Sequence, residues 1–313
     1  MTLAPIILFT YNRPWHTEQT LLALEKNELA SQSSLFVYSD GPKENASDED
    51  VHKVEEVREL VEKRNWCKEV TLVAREKNVG LAHNVINGIT EVINEYGRVI
   101  VLEDDIITSR YFLNYMNDAL EVYEHHEKVF GATGYTYPNK LNISEESFFL
   151  PVACSWSYAT WKDRWNRINW NVDELLQRIE GKKDQFNFGG YGFFEMLRNN
   201  SLKKNDSWAV RFYAWMFLEE KWFLFPRTSL VENIGFDDSG THCTDDDYFS
   251  KVKPEDYNIA VRELPMELPE ELHLYKTNFF SGDSGRANTS DKTKTMSRVI
   301  RKFNKFFNIT PNK

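Results

Sequence analysis

Short apolar runs and helical patterns alternate along the first third of the chain. Four apolar runs predict buried strands: Pro5–Phe9, Leu35–Tyr38, Val70–Ala74 and Val99–Leu102. Helical patterns separate them, the first ending at Glu25 and the next two spanning Val51–Arg64 and Leu81–Ile93. Such alternation is typical of an α/β fold whose mostly parallel central sheet is covered by helices on both faces.

Polar segments follow these strands at the points where each one ends. They are the Asn12-Arg13 loop, Asp40, Arg75–Leu81 and Glu103–Asp105. Ligands of open parallel sheets bind beyond the carboxyl ends of the strands. The four segments therefore predict one ligand site along a single edge of the sheet.

Composition excludes several classes of protein. With 41% hydrophobic residues, the 313-residue chain has ample material for a core, which excludes global disorder. A formal net charge of -10 argues against nucleic-acid binding, which needs a basic face. Three dispersed cysteines predict neither a disulfide framework nor a zinc site. Since the N-terminal apolar run is too short for a signal peptide, we expect a cytoplasmic protein.

The acids Glu103, Asp104 and Asp105 directly follow the fourth apolar run. Three carboxylates at the end of a buried strand repel one another unless a cation or hydrogen bonds compensate. Mg²⁺ and Mn²⁺ prefer such oxygens and can bridge to a diphosphate. The alternative is an acidic junction that caps the next helix.

The stretch VIVLEDDIITSRYFLNYM resembles the Glu-Asp-Asp region of N-acetylglucosaminyltransferase I and its relatives. The resemblance consists of short motifs in the same order between Pro5 and about Phe249. It implies the GT-A fold and an inverting glycosyltransferase that uses Mn²⁺ or Mg²⁺. It further implies a nucleotide-sugar donor, with a UDP-sugar favoured, and a glycan or lipid-linked glycan acceptor.

The same resemblance implies roles for individual residues in the first half of the chain. FTYNRP places Thr10 and Arg13 at the nucleotide, and VYSDGP places Asp40 at the uracil ring. GLAHNVINGI places Asn84 near the donor. Asp105 would be the direct metal ligand, and Glu103 and Asp104 would contact the sugar and ribose hydroxyls. The alternatives are a surface arginine, an ordinary Asp-Gly turn and a solvent-facing asparagine.

Two further motifs extend the resemblance into the second half. ACSWSYATW matches the segment that lines the sugar pocket, which implies Trp156 and Ser157 there; the alternative for Trp156 is a buried strand residue. LVENIGFDDSGTHC resembles the loop that closes over the donor. In it, Gly235 and Gly240 would supply the φ values of a lid, and His242 would bond the diphosphate or the metal. The alternative is a solvated histidine.

The general base of the transfer is less well marked. The relatives carry an acidic pair directly after a tryptophan, whereas Ala209 and Val210 follow Trp208 here. The nearest acid is Asp206, which is the candidate base unless it caps the following helix. Asp163 is a second candidate.

We predict a GT-A domain over residues 1–280, with a nucleotide-sugar-binding half at 1–135 and an acceptor half at 136–280. Residues 281–313 form a polar linker and a basic amphipathic helix. Seven Lys or Arg and no acids lie between Lys292 and Lys313. This helix either makes a peripheral contact with the inner face of the membrane or docks on the protein itself.

Two other functions are alternatives. A sugar nucleotidyltransferase usually has a Gly-rich loop after its first strand to hold a triphosphate; FTYNRPWHTEQT has no glycine, which counts against this function. A non-catalytic sugar-binding or surface-binding module with a degenerate site would explain the departure after Trp208.

Overall fold

The computed structural model describes residues 2–137, 143–237 and 252–268. The first part alternates strand and helix: β1 (Ile6–Thr10), α1 (Pro14–Glu25), β2 (Ser34–Ser39), α2 (Asp48–Glu62), β3 (Glu69–Ala74), α3 (Leu81–Tyr96) and β4 (Arg98–Glu103). All four predicted strands and all three predicted helices are present, and their boundaries lie within a few residues of those expected.

Local signals fix where these helices begin and end. Helix α2 starts three residues before the apolar pattern does, because Ser47 caps it: its hydroxyl accepts a hydrogen bond from the Asp50 amide. Helix α3 lies between two glycines with positive φ, Gly80 at 81° and Gly97 at 80°. Gly97 ends the helix in the left-handed backbone conformation, which residues with a Cβ rarely adopt.

The second part mixes strands and helices less regularly. It contains β5 (Ile106–Thr108), α4 (Phe112–Val122), β6 (Val129–Thr133), β7 (Ser147–Leu150), β8 (Tyr158–Trp161), α5 (Lys162–Trp165), α6 (Val172–Ile179), α7 (Lys183–Phe186), α8 (Phe193–Ser201), α9 (Trp208–Leu218), β9 (Trp222–Pro226) and β10 (Val231–Asn233). Short 3₁₀ turns cover Ala30–Gln32, Glu180–Lys182 and Phe188–Gly190. Within the described residues, every helix is too short or too polar to cross a bilayer.

The eight-stranded central sheet has the order β3-β2-β1-β4-β8-β6-β9-β7. Strands β1 to β4 and the pair β6 and β9 are parallel, whereas β8 runs antiparallel to both β4 and β6. Strands β5 and β10 form a separate two-stranded ribbon. The prediction of an α/β fold with a mostly parallel, helix-flanked sheet is confirmed.

The core covers both faces of the sheet. Ile6, Ile7 and Leu8 of β1 are fully buried, as a central strand with helices on both sides requires. Farther along the sheet the core is aromatic: Phe212 of α9 packs on Phe130, with ring centroids 5.0 Å apart. Strands from both sides of the predicted boundary between residues 135 and 136 are neighbours in one sheet, because β8 lies between β4 and β6.

Candidate functional site

The predicted donor residues meet at the carboxyl edge of β1 to β4. Because these strands are parallel and in register, the loops after Thr10, Ser39, Ala74 and Glu103 emerge on the same side of the sheet. Thr10 ends β1 and is buried, and its hydroxyl has no hydrogen-bond partner within the described residues. The structure therefore brings the predicted donor residues to one edge of the sheet; their role in binding stays a prediction.

Arg13 lies directly against the acidic run. Its Nη1 is 2.8 Å from Oδ2 of Asp105 and 3.4 Å from Oδ1 of Asp104. The Arg13 side chain is only 13% exposed, so it is not an ordinary surface arginine. Thr20 of α1 holds the strand end in place, since its hydroxyl donates to the carbonyl of Asp104 at 2.8 Å.

A segment after β10, residues 234–237, crosses over Asp105; we call it the strap. The amide of Ile234 donates to the carbonyl of Asp105 at 2.9 Å. A Cβ on Gly235 would lie 2.1 Å from Oδ2 of Asp105, so only glycine fits at this contact. The expectation that Gly235 supplies a positive φ for a lid is wrong. This glycine instead lets the backbone approach the Asp105 carboxylate closely.

The strap also brings a carboxylate, Asp237, to contacts that the sequence did not predict. Oδ2 of Asp237 is 3.0 Å from Nε2 of the buried His16, and its Oδ1 is 3.8 Å from Nη2 of Arg13. The one available signal was spacing: His16 lies three residues after Arg13, so both fall on one face of the start of α1. Asp237 offered no signal, because only the fold brings it to this edge.

The electrostatics of this cluster reflect crowded acids. Desolvation raises the pKa of Glu103 and of Asp104, and the neighbouring Asp105 carboxylate raises both further, while Arg13 lowers them. Desolvation and Arg13 lower the pKa of His16, against the opposing effect of Asp237. Glu103 and Asp104 therefore favour a proton or a nearby cation.

The oxygen ligands at this edge fit a divalent cation whose remaining ligands come from a bound molecule or from water. Oδ1 of Asp105 is buried and has no hydrogen-bond partner in the described part of the chain, which leaves an oxygen that a cation could bind. Over the same residues, no group of three or more His, Cys, Asp or Glu side chains is arranged as a ready-made metal site. A cation here would thus need ligand or water oxygens besides Asp105.

Asp40 is a buried carboxylate that organises the neighbouring loop. Its Oδ1 accepts hydrogen bonds from the amides of Gly41 and Val79, both at 2.9 Å, and its Oδ2 accepts one from Gly80 at 3.1 Å. A Cβ on Gly41 would lie 2.5 Å from the backbone of Lys77, so the two loops cross in contact. Asp40 is therefore more than an ordinary turn residue.

Asn84 is buried in the first turn of α3, so the solvent-facing alternative is wrong. Its side-chain amide donates to the carbonyl of Tyr38, and its Oδ1 accepts from Nε of Arg75, each at 3.4 Å. Arg75 also lies over the Tyr38 ring, 5.2 Å from the centroid. These contacts fix Asn84 beside the Asp40 loop.

Trp156 and Ser157 lie in the loop before β8, next to the strap. The half-buried Trp156 ring makes edge contacts with Tyr135 at 4.8 Å and with Phe236 at 5.5 Å. It is therefore not a buried strand residue. Ser157 is fully buried and has a φ of 58°, a backbone conformation that residues other than glycine rarely adopt. Residues held in such conformations cluster at functional sites.

The two candidate bases lie at opposite edges of the sheet. Asp163 follows Trp161, which pairs with Arg98 at the amino end of β4, roughly 16 Å along the strand from Glu103. Asp163 as general base is therefore wrong, because a base must be within hydrogen-bond reach of the acceptor.

Asp206 lies just before the end of α9 that packs toward the carboxyl edge. It precedes Trp208, whose ring packs 5.7 Å from that of Tyr158, the β8 residue paired with Val101. The cap of α9 is Ser207, whose hydroxyl accepts from the Val210 amide, so Asp206 is not the cap. Its carboxylate is 63% exposed and 3.3 Å from Nη2 of Arg211. Its role as base stays a prediction.

Three predicted features lie outside the described residues: His242, Gly240 and the basic segment 281–313. They stay predictions.

Comparisons with known proteins give weak matches. No protein-family model matches the chain, and no curated protein matches it. A crystal structure of S. aureus TarS is 17% identical, with a TM-score of 0.35, over 55% of this chain and 31% of that one. A crystal structure of S. aureus TarS 1-349 is 13% identical, with a TM-score of 0.39, over 73% of this chain and 59% of that one.

This chain thus spans less than two thirds of either TarS chain. At TM-scores below 0.5, the architecture rests on the sheet topology and the function on the site. The resemblance to N-acetylglucosaminyltransferase I stays a prediction.

Proposed function

We propose that this chain is a GT-A glycosyltransferase that moves a sugar from a nucleotide-sugar to a glycan or lipid-linked glycan acceptor. The observation that carries the proposal is the cluster of Arg13, Glu103, Asp104 and Asp105 at the carboxyl edge of the sheet, where α/β proteins bind nucleotides. A cationic side chain among carboxylates suits a ligand that brings both a diphosphate and a divalent cation.

The diphosphate would lie between Arg13 and Asp105. Arg13 can offer its guanidinium to phosphate oxygens, which it binds in a bidentate manner. Asp105 would hold Mn²⁺ or Mg²⁺ through its carboxylate, with the diphosphate and water completing the coordination. The bound cation would supply Lewis-acid stabilisation of the departing nucleoside diphosphate.

The nucleoside would extend toward the Asp40 loop. Thr10 and Asp40 lie at the ends of β1 and β2, Asn84 lies in the first turn of α3, and the hydrogen bonds of Asp40 hold its loop in place. A rigid loop supports specificity because its polar groups need no reordering when the base binds. The preference for UDP rests on the resemblance of VYSDGP alone.

The sugar and acceptor would occupy the side of the cluster that faces Trp156. An aromatic ring at this place offers a flat apolar surface for a sugar ring. For an inverting transfer, Asp206 would accept the proton of the acceptor hydroxyl while the hydroxyl oxygen attacks the sugar carbon. Its position at the start of α9, at the same edge, supports this role.

Isothermal titration calorimetry with UDP and Mn²⁺ tests the proposal. We expect UDP to bind weakly alone and more tightly when Mn²⁺ is present, and we expect Asp105→Asn to abolish the gain from Mn²⁺. GDP and CDP in parallel titrations test the choice of nucleotide. Absence of binding by any nucleoside diphosphate with Mn²⁺ or Mg²⁺ would rule out the donor site. A screen of nucleotide-sugars for donor hydrolysis then identifies the sugar.

A sugar-binding module without transferase activity is the second candidate. The observation in its favour is that Asp206 is paired with Arg211 and largely exposed, unlike a base enclosed in an active site. Donor hydrolysis by the wild-type protein separates the two functions. Nucleotide binding without any hydrolysis or transfer would favour the module.

A further inference from the structure

Arg13 occupies the position of a counter-cation in the acidic cluster. Its guanidinium nitrogens lie 2.8 Å from Asp105, 3.4 Å from Asp104 and 3.8 Å from Asp237. Its side chain, like those of Asp104 and Asp105, is at most 13% exposed, so solvent screens these charges poorly. The protein thus neutralises part of its own acidic cluster with one arginine.

The carboxylate that Arg13 contacts most closely is also the one offered to a divalent cation. Oδ2 of Asp105 accepts the 2.8 Å hydrogen bond, whereas Oδ1 has no partner among the residues the structure describes. A cation that binds Asp105 would therefore lie beside the guanidinium. Two cations on one poorly screened carboxylate repel each other, so each weakens the binding of the other.

Asp105 itself has little freedom to relieve this conflict. Its carbonyl accepts from Ile234, and the α-carbon of Gly235 lies against its carboxylate. Arg13, in contrast, has a long side chain with several rotatable bonds. Accommodation of a cation therefore falls to the arginine rather than to the aspartate.

We propose that Arg13 is the resident counter-cation of the ligand-free site and exchanges Asp105 for the donor's diphosphate when the divalent cation binds. This inference rests on the proposed function, because the diphosphate is the anion that receives the displaced guanidinium. Metal and nucleotide binding are then coupled: each binds weakly alone, and each strengthens the other by the same factor.

Titration of Mn²⁺ alone into the wild type, Arg13→Gln and Arg110→Gln tests the exchange. Arg110→Gln is the control, since it removes an exposed arginine paired with Glu28, outside the site. We expect Arg13→Gln to bind Mn²⁺ about tenfold more tightly than the wild type, within the usual range of coupling between sites. The control should match the wild type.

The same titration with saturating UDP gives the second measurement. We expect UDP to raise the Mn²⁺ affinity of the wild type by about tenfold and that of Arg13→Gln by much less. Circular dichroism checks that the variant is folded, and the wild-type coupling decides the matter if it is not.

Three results would overturn the exchange: no Mn²⁺ binding by either protein, binding by Arg13→Gln no tighter than wild type, or wild-type affinity unaffected by bound UDP. Failure of UDP to bind the wild type with Mn²⁺ would instead reject the proposed function. In that case tighter binding of Mn²⁺ alone by Arg13→Gln would still support Arg13 as the resident counter-cation.

Discussion

The two ends of the central sheet organise their chemistry differently. From β1 to β4 the strands are parallel, so each one delivers a loop to the same edge, and residues as distant as Arg13 and Asp105 meet there. From β8 to β7 the strands mostly alternate in direction, and aromatic packing rather than strand order fixes the contacts. Where the strands are parallel, the sequence predicts which residues meet at one edge. Where strand directions are mixed, it does not.

The largest effect should come from the parallel region. Replacement of Asp105 with Asn removes the carboxylate that pairs with Arg13 and would hold the cation. We expect kcat/KM for donor turnover to fall by about a thousandfold, since such electrostatic groups contribute two to three orders of magnitude. Asp163→Asn, at the opposite edge of the sheet, is the matched control and should retain full activity. Retained activity in Asp105→Asn would remove the cluster from the mechanism.

The mixed region should affect turnover without affecting donor binding. We expect Asp206→Asn to lower kcat by about a hundredfold, the lower end of what a general base contributes. Calorimetry should show unchanged affinity for UDP with Mn²⁺. Asp184→Asn, an exposed acid on α7, provides the control. An unchanged kcat would exclude Asp206 as base.

The strap joins the two regions, and Gly235→Ala tests that connection. The added Cβ would lie 2.1 Å from Oδ2 of Asp105, so strap or carboxylate must move. We expect the free energy of unfolding to fall by about 1–3 kcal/mol, as for other overpacked sites, along with weaker Mn²⁺-dependent UDP binding. Gly181→Ala, where no atom lies within 4 Å of the new Cβ, should change stability by less than about 1 kcal/mol. Urea unfolding measures both.

The smallest effect is a pH dependence of stability in the ligand-free protein. The pKa values of Glu103 and Asp104 are raised above their unfolded values by desolvation and by Asp105, so the folded state holds more protons. Their contribution to stability is complete below the unfolded pKa values and is lost as the pH rises through the folded ones. We expect Tm to fall across this window relative to Glu103→Gln, by about 2 °C per kcal/mol.

Mn²⁺ should reverse that loss of Tm in the wild type, because a cation compensates the ionised carboxylates. Calorimetric scans between pH 5 and 8, with and without Mn²⁺, measure both effects. A Tm difference from Glu103→Gln that stays constant with pH would contradict the expected protonation.

Most of the parallel region was predictable, because one pattern determines both element and position. The apolar runs gave β1 to β4, and parallel pairing then fixed which edge their polar ends share. The assignments that failed depend on strand direction or close packing. Asp163 was a candidate only because the sequence does not reveal that β8 runs antiparallel to β4.

The strap was the other feature beyond the reach of sequence. The sequence does not distinguish a glycine needed for close backbone approach from one needed for a positive φ, so only the structure shows the role of Gly235. His16 and Asp237 are separated by most of the chain, and no local pattern links them. Long-range contacts of this kind depend on the complete fold.

The position of β8 has a consequence for how such chains can be recombined. This strand belongs to the second half of the sequence yet lies between β4 and β6 of the first. A fragment that ends at residue 135 would leave both neighbours with unpaired edges, which favour aggregation. The halves are therefore not interchangeable modules: a chimaera must inherit β4, β6 and β8 from one parent, whichever loops it exchanges.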